Sequence, residues 1–219
     1  MPAVIFDLDG TLVDLFDVHL HAFQEIVERE CGMRFEKSDL EPHYGKSGEE
    51  ILKIYFEKQG LKDADWKDLA EKRRTLAIAN LKSCALLSGA EKLLKAVKKS
   101  GMKTALGTSN PRQIGEAILN ACGLSGFFDF KAYRDSGLAG KPAPDIFLHV
   151  AKEMGVDPKE CVVIEDSVFG VSAAKAAGMK CIAVATGTHT IDELRGQKPD
   201  LLVATLEEVD LKSIKTLLT

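Results

Sequence analysis

From about residue 88 onward, short apolar runs alternate with stretches of helical periodicity. The apolar runs occupy residues 103–107, 161–164, 181–184 and 201–203. Strands and helices that alternate in this way are joined by right-handed crossovers, which build a parallel sheet. The continuous apolar run Ala3–Phe6 predicts a further strand, buried on both faces. We therefore predict an α/β fold with a doubly wound parallel sheet.

Residues 16–82 show a different pattern. One apolar helical stripe contains Val18, Ala22, Phe23, Ile26 and Val27. Gly32 is placed to end this helix, and two further helical stretches follow without a strand pattern between them. The sequence therefore predicts a separate helical unit at 16–82, inserted into an α/β core formed by 1–15 and 83–219.

Two helices of the core begin with capping signals. Ser88-x-x-Glu91 is the pattern of a capping box, in which two side chains satisfy free N–H groups. Asn110-Pro111 supplies an N-cap residue followed by a proline at the first helical position. Both signals predict where the following helix starts.

The composition restricts the class of protein. The chain has 219 residues, of which 45% are hydrophobic, enough for a sizeable core. Its 29 Lys and Arg against 33 Asp and Glu give a formal net charge of -4, without the basic footprint of a nucleic-acid or membrane-surface protein. The 5 cysteines are widely spaced, and the sequence pattern leads us to expect neither a secretory leader nor a bilayer-spanning stretch. We expect a cytoplasmic protein with no nucleic-acid or membrane partner.

The first strand is followed by two carboxylates, Asp7 and Asp9. If the strand continues through Asp9, both side chains share one face and repel each other unless a positive charge lies between them. Asp9-Gly10 between apolar residues is also the signal of a hairpin turn. A structural and a functional interpretation of this pair both stay open at this point.

Polar residues also follow two other predicted strands, at 108–110 (Thr-Ser-Asn) and 165–166 (Glu-Asp). Each group by itself is explained as a helix cap or a strand end. The carboxyl ends of parallel strands, however, lie at one edge of the sheet, where ligands bind. Together with Asp7 and Asp9 these residues form an oxygen-rich cluster that suits Mg²⁺ better than zinc or copper.

Four short motifs occur in order along essentially the whole chain. They are Asp7-x-Asp9-Gly-Thr-Leu-Val-Asp, Thr108-Ser109, Lys141-Pro142-Ala-Pro-Asp145 and Glu165-Asp166-Ser167. This arrangement resembles the haloacid dehalogenase (HAD) superfamily, and within it the subfamily of β-phosphoglucomutase, phosphoglycolate phosphatase and small sugar-phosphate phosphatases. The resemblance implies a Rossmann-like core with residues 16–82 as a mobile helical cap.

The resemblance also implies catalytic and metal-binding roles. Asp7 is the expected nucleophile, which forms an aspartyl-phosphate, and Asp9 the expected general acid and base. The carboxylates of Asp7 and Asp166 and the main-chain carbonyl of Asp9 are expected to hold Mg²⁺. Glu165 either ligates the metal, directly or through water, or orients Lys141.

By the same resemblance, phosphate binding falls to three residues. The Thr108 hydroxyl and the Ser109 N–H donate to the phosphoryl oxygens, while Lys141 and the metal neutralise their charge. From the residues alone, the alternative for Lys141 is a solvated surface lysine, although the neighbouring glycines and prolines indicate a loop with a fixed path.

The aspartate at position 9 separates activities within the superfamily, because dehalogenases and phosphonoacetaldehyde hydrolases lack it. The resemblance therefore implies a Mg²⁺-dependent phosphatase of a small phosphomonoester, with a β-phosphoglucomutase-like mutase as the alternative. A phospho-accepting receiver domain uses similar residues, but it is shorter and has no helical insertion.

Two cap residues are candidates for substrate contact. His19 matches a cap-hinge histidine of the mutases and is expected to touch Asp9 or the substrate, with a partly exposed helix histidine as the alternative. The mutases carry a cap-loop arginine where this chain has Gly48, and Lys46 is a possible substitute, although it offers no bidentate fork. The sequence names no particular phosphomonoester, and a monomer fits a capped enzyme of this size.

Overall fold

The computed structural model describes residues 1–61, 65–81 and 84–219. Its strands are β1 (Ala3–Phe6), β2 (Val13–Asp14), β3 (Ala85–Leu86), β4 (Lys103–Gly107), β5 (Phe130–Ala132), β6 (Cys161–Glu165), β7 (Lys180–Val184) and β8 (Leu201–Val203). Its helices are α1 (Phe16–Cys31), α2 (Lys37–Leu40), α3 (Gly48–Lys58), α4 (Trp66–Ala79), α5 (Ala90–Lys99), α6 (Arg112–Ala121), α7 (Asp145–Met154), α8 (Val168–Ala176), α9 (Ile191–Gly196) and α10 (Leu211–Leu217).

Six strands form one parallel sheet in the order β5-β4-β1-β6-β7-β8. β1 is central, and its Phe6 pairs with Leu106 on one side and with Ile164 on the other. The predicted doubly wound α/β fold is therefore confirmed. The sequence pattern does not predict β5, because this strand has three residues and two of them are partly exposed.

The two faces of β1 contribute to separate parts of the core. Val4 and Phe6 pack with residues of α5, α6 and α10, while Ala3 and Ile5 pack with residues of α7, α8 and α9. A strand covered by helices on both faces has no polar side, which is why its sequence is continuously apolar. No helix in the described ranges is long and apolar enough to cross a membrane.

The helices α1–α4 share an apolar cluster of their own, which includes Phe23, Ile26, Leu52 and Phe56. Gly32 ends α1 in the left-handed conformation, as its position in the sequence predicts. Within the described residues of this segment there is no strand. The division into core and cap stays a prediction, and its second boundary, at 82 and 83, lies outside the described residues.

Both predicted helix caps are wrong. α5 begins without a side-chain cap, and the Ser88 hydroxyl donates instead to Glu207 Oε1 at 2.5 Å. The N-cap residue of α6 is Pro111, and the Asn110 side chain is engaged elsewhere. In each case a partner that is distant in sequence takes the polar side chain that would otherwise cap the helix locally.

The hairpin interpretation of Asp9-Gly10 is correct for the turn but not for the strand pairing. The chain turns at Gly10, which has a φ of 79°, and the Gly10 N–H donates to the Val13 carbonyl at 2.8 Å. β2 then pairs antiparallel with β3 instead of returning along β1. The two strands form a small flap beside the carboxyl end of β1.

The packing predicts a large difference between two isoleucine-to-alanine substitutions. Ile118 of α6 is fully buried in the core, whereas Ile191 of α9 is 46% exposed. We expect Ile118→Ala to lower the free energy of unfolding by about 2–5 kcal/mol, because it leaves a cavity. Ile191→Ala should change it by less than about 0.5 kcal/mol. Urea unfolding measures both values, and similar losses for the two variants would contradict this packing.

Candidate functional site

Three adjacent strands deliver polar side chains to one edge of the sheet. Asp7 follows β1, Thr108 follows β4, and Glu165 and Asp166 stand at the end of β6. All four residues are buried. Burying so many polar groups is unfavourable unless each of them has a partner in the protein or in a ligand.

Lys141 reaches the same edge from the loop that precedes α7. Its Nζ donates to Asp7 Oδ1 at 2.5 Å, to Glu165 Oε1 at 2.6 Å and to the Gly107 carbonyl at 3.1 Å. Burial alone lowers the pKa of the ammonium, but the carboxylates of Asp7 and Glu165 outweigh burial and raise this pKa above its ordinary value. Lys141 is thus a buried, charged residue and not a surface lysine.

Asp7, Glu165 and Asp166 each place a carboxylate oxygen within 4.8 Å of the others. Burial, opposed by Lys141 and reinforced by Glu165 and Asp9, raises the pKa of Asp7 to about 8. The pKa of Asp166 is raised as well, first by burial and then by the charges of Glu165 and Asp7. If all three carboxyls were ionised, they would outnumber the single ammonium, which adds to burial in raising the pKa values of Asp7 and Asp166. A bound cation would favour their ionised forms.

One carboxylate oxygen of Asp166 is available to bind such a cation. Its Oδ1 accepts from the Thr11 hydroxyl at 3.0 Å, whereas Oδ2 is buried and has no partner in the described part of the chain. Glycines keep the space beside Oδ2 open, because a Cβ on Gly10 or Gly187 would lie 2.2 or 1.9 Å from it. A set of oxygen donors with an unpartnered carboxylate oxygen fits Mg²⁺.

The hydrogen bonds of Glu165 favour one of its three expected roles. Its Oε1 accepts from Lys141, and its Oε2 accepts from Asp166 N, Ser167 N and Ser167 Oγ, each at 3.0 Å. Both oxygens are therefore engaged by the protein itself. This geometry favours orientation of Lys141 over direct ligation of the metal.

Asp9 lies close to Asp7 but has different partners. Its Oδ2 accepts from Asn110 Nδ2 at 2.6 Å and lies 3.5 Å from His19 Nε2. The positive charge that the sequence requires is beside Asp7, on Lys141, rather than between the two aspartates. The two carboxylates are thus stabilised separately, Asp7 by the ammonium of Lys141 and Asp9 by the hydrogen bond from Asn110.

His19 is 5% exposed, which contradicts the alternative of a partly exposed helix histidine. Arg73 of α4 donates from Nη1 to His19 Nδ1 at 3.0 Å. Because a guanidinium can only donate, this contact leaves the ring hydrogen of His19 on Nε2, the nitrogen that faces Asp9.

Sequence reasoning missed Arg73. Burial lowers the pKa of its guanidinium to about 10, so the group stays charged at neutral pH, and its Nε has no hydrogen-bond partner in the described ranges. A Cβ on Gly48 would lie 3.3 Å from this Nε. Gly48 therefore leaves room for the guanidinium, a relation that only the folded structure shows.

Most of the predicted site residues meet at one cavity. Its wall includes Asp7, Asp9, His19, Lys46, Arg73, Thr108 and Ser109. Lys141 lies behind this wall and reaches it through Asp7 and Glu165. Thr108 Oγ1 accepts hydrogen bonds from the main-chain and side-chain nitrogens of Asn110, at 3.1 and 3.3 Å. The hydroxyl hydrogen of Thr108 is thus left to donate to a ligand.

Lys46 also lies on this wall, but its ammonium is 4.3 Å from the centroid of the Phe169 ring. A lysine at this distance from an aromatic face is held by a cation–π interaction. Lys46 therefore connects the loop before α3 to α8, and Arg73 is the cation on this cavity wall whose Nε has no partner among the described residues.

A parallel α/β sheet that gathers carboxylates, a lysine and a hydroxyl at one edge is the framework of an enzyme that acts on phosphoesters. The chain belongs to the haloacid dehalogenase-like hydrolase family, whose model matches residues 4–184.

Individual proteins agree with this assignment. The fructose-1-phosphate phosphatase YqaB of Escherichia coli is 37% identical over 83% of this chain and 95% of its own length. The protein SUPPRESSOR OF QUENCHING 1 of Arabidopsis thaliana is 35% identical over 98% of this chain, which spans only 20% of that protein. The crystal structure of β-phosphoglucomutase from Clostridium difficile has a TM-score of 0.88 and 27% identity, covering 100% of this chain and 97% of the other.

Close packing around Glu165 gives a test of the site. A Cβ on Gly170 would lie 1.8 Å from the Glu165 carboxyl, so Gly170→Ala must displace the carboxylate that holds Lys141. We expect hydrolysis of 4-nitrophenyl phosphate to fall about 10²-fold and the free energy of unfolding to fall by about 1–3 kcal/mol.

Gly126→Ala is the matched control, because a Cβ there would meet nothing within 4 Å. Its activity and its urea unfolding curve should stay close to those of the unchanged protein. If Gly170→Ala behaved like Gly126→Ala, the hydrogen bonds described for Glu165 would be wrong.

Proposed function

We propose that this protein is a Mg²⁺-dependent phosphatase that hydrolyses a small phosphomonoester through an aspartyl-phosphate on Asp7. The observation that carries the proposal is the shared cavity wall, on which Asp7 and Asp9 stand next to Thr108 and Ser109 while Lys141 supports Asp7 from behind. Membership of a hydrolase family agrees with it.

Asp7, Asp166 and the main-chain carbonyl of Asp9 are the groups that we assign to the metal. The three clustered carboxyl groups and the unpartnered Asp166 Oδ2 support this assignment. When bound, Mg²⁺ supplies positive charge that shields the incoming phosphate from the carboxylates. The remaining steps are carried by side chains of the protein.

In the first step, a carboxylate oxygen of Asp7 forms a bond to phosphorus while the bond between phosphorus and the leaving oxygen breaks. Asp9 gives a proton to that leaving oxygen, which departs as an alcohol. In the second step, Asp9 takes a proton from water, and the hydroxide attacks the phosphorus and releases Asp7. Thr108 and Ser109 donate to the phosphoryl oxygens in both steps, and the charge of Lys141 behind Asp7 helps to neutralise them.

The relatives support a sugar phosphate as the substrate. By their names, the similar proteins of Escherichia coli and Clostridium difficile act on phosphorylated sugars. We therefore propose a small phosphorylated sugar as the substrate class. All five cysteines are free, which is typical of proteins of a reducing compartment, so we propose the cytoplasm as the site of the reaction.

The proposed mechanism predicts repeated, metal-dependent turnover that needs Asp7. Phosphate release from a panel of sugar phosphates should stop with a chelator and return with Mg²⁺. Asp7→Asn should lower kcat by about 10³-fold or more, because the amide cannot serve as the nucleophile. Quenched reactions with ³²P-labelled substrate should contain an alkali-labile phosphoprotein that Asp7→Asn does not form.

Asp17→Asn makes the same chemical change at an exposed position of α1 and should leave turnover intact. A protein that incorporates one phosphoryl group and then stops would be a receiver-like phospho-acceptor instead of a phosphatase. Full activity of Asp7→Asn would exclude the aspartyl-phosphate route.

A phosphosugar mutase is the second candidate, and the position of Arg73 favours it. A mutase must hold a phosphate at each end of a bisphosphate, and Arg73 places a buried guanidinium beside Gly48, where the mutases carry their arginine. The similarity to β-phosphoglucomutase supports this candidate as well.

One assay separates the two candidates. With β-glucose 1-phosphate and a glucose 1,6-bisphosphate primer, a phosphatase releases inorganic phosphate, and a mutase forms glucose 6-phosphate without net release. We expect phosphate release to exceed isomerisation. The opposite ratio, lost in Arg73→Gln but kept in Arg29→Gln at an exposed position, would establish the mutase.

A further inference from the structure

Asn110 connects the two groups of the site that the proposed function uses for different purposes. Its Nδ2 donates to Asp9 Oδ2 at 2.6 Å and to Thr108 Oγ1 at 3.3 Å. One amide nitrogen thus bridges the carboxylate assigned to proton transfer and the hydroxyl assigned to phosphate binding. The residue is 7% exposed, so water does not compete freely for these bonds.

The main chain of Asn110 is held independently of its side chain. Its N–H donates to Thr108 Oγ1 at 3.1 Å, and its carbonyl accepts from the Arg134 N–H at 3.0 Å. Pro111 follows and restricts the backbone of Asn110 to extended conformations. The backbone that carries the amide group is therefore fixed, so the short contact of the amide with Asp9 is preorganised.

This contact makes the two oxygens of Asp9 unequal. Oδ2 is held by Asn110 from the core and lies 3.5 Å from His19 Nε2 on α1. Oδ1 is buried at the cavity and has no partner in the described part of the chain. An amide nitrogen and the Nε2–H of His19 can only donate, so they stabilise Oδ2 as an acceptor. Oδ1 is the oxygen left to carry and transfer the proton.

We propose that Asn110 is the positioning residue for proton transfer by Asp9, because it holds Oδ2 so that Oδ1 faces the leaving oxygen of the substrate. This inference rests on the proposed function. As the bond between phosphorus and the leaving oxygen breaks, the proton on Asp9 Oδ1 moves to that oxygen, which keeps the bonding electron pair. Asp9 becomes a carboxylate whose charge the Asn110 amide stabilises.

A purely structural asparagine would satisfy main-chain groups of its own loop. Here the described hydrogen bonds of the side chain go to Asp9 and Thr108, two residues of the cavity wall. The main-chain bonds of the loop do not pass through the amide. Substitution of the side chain therefore removes the contact with Asp9 and leaves the course of the loop in place.

The test uses leaving groups that differ in their need for a proton. 4-Nitrophenolate departs without protonation, whereas the alkoxide of an alkyl phosphate requires a general acid. The parameter kcat/KM reports only steps up to the first irreversible one, here formation of the phosphoenzyme. We compare kcat/KM for 4-nitrophenyl phosphate with that for the alkyl phosphate that the unchanged protein hydrolyses fastest.

We expect Asn110→Ala to lower kcat/KM for the alkyl phosphate by about 10²-fold, as a misplaced catalytic group does. The loss for 4-nitrophenyl phosphate should be at least tenfold smaller. Asn110→Asp keeps the volume but replaces the donor with a second carboxylate near Asp9, so its selective loss should be larger. Asp9→Asn sets the upper limit of the effect.

Asn120→Ala is the matched control, because that amide accepts from the Ser125 hydroxyl at 2.6 Å on the exposed side of α6. A cooperative urea unfolding curve for each of Asn110→Ala and Asn110→Asp is the check that both variants are folded. Equal losses for the two substrates, or no loss for either, would overturn the inference. If the unchanged protein hydrolyses no alkyl phosphate, the proposed function fails before any variant is compared.

Discussion

The ammonium of Lys141 is the interaction on which the site depends. It connects Asp7 at the end of β1 with Glu165 at the end of β6, and all three residues are buried. Removing one partner of a buried ion pair leaves an uncompensated charge, which typically costs about 3–5 kcal/mol. Asp166 joins the other two carboxyl groups, so three acidic groups face one ammonium, and the pKa values of Asp7 and Asp166 rise because burial and mutual repulsion disfavour ionisation. The sheet holds these groups together, because it fixes the ends of β1 and β6 side by side.

The two aspartates of the first motif depend on different parts of the chain. Asp7 receives its hydrogen bond from Lys141, a residue of the α/β part. Asp9 contacts both Asn110, which follows β4, and His19, which lies in α1. Asp7 and Asp9, the proposed nucleophile and proton-transfer residue, are therefore stabilised separately, and only Asp9 depends on how α1 packs on the sheet edge.

Much of the fold could be predicted because the signals are local. The apolar run of β1 can be recognised in the sequence, and so can the apolar residues that repeat with helical period in α1 and the glycine that ends this helix. The short strand β5 could not be predicted, because its three residues form no apolar pattern and it is defined by its pairing with β4. Ser88 and Asn110 were misassigned for a related reason, since each side chain bonds to a partner far away in sequence rather than to its own helix.

The sequence by itself determined the alternation of strand and helix, the placement of Asp7, Thr108 and Asp166 at strand ends, and the family to which the chain belongs. These properties depend on spacing and on the period of side-chain burial, which any reader of the chain can count. Only the tertiary structure determined the ion pairs of the site, in which Lys141 contacts Asp7 and Glu165. In the folded protein, Arg73 lies in the space beside Gly48. Asp9 accepts a hydrogen bond from the Asn110 amide, although the sequence predicts a positive charge between the two aspartates. Hydrogen bonds and ion pairs act over a few ångströms in space, so a sequence separation of 54 residues between His19 and Arg73 leaves no local trace of their contact.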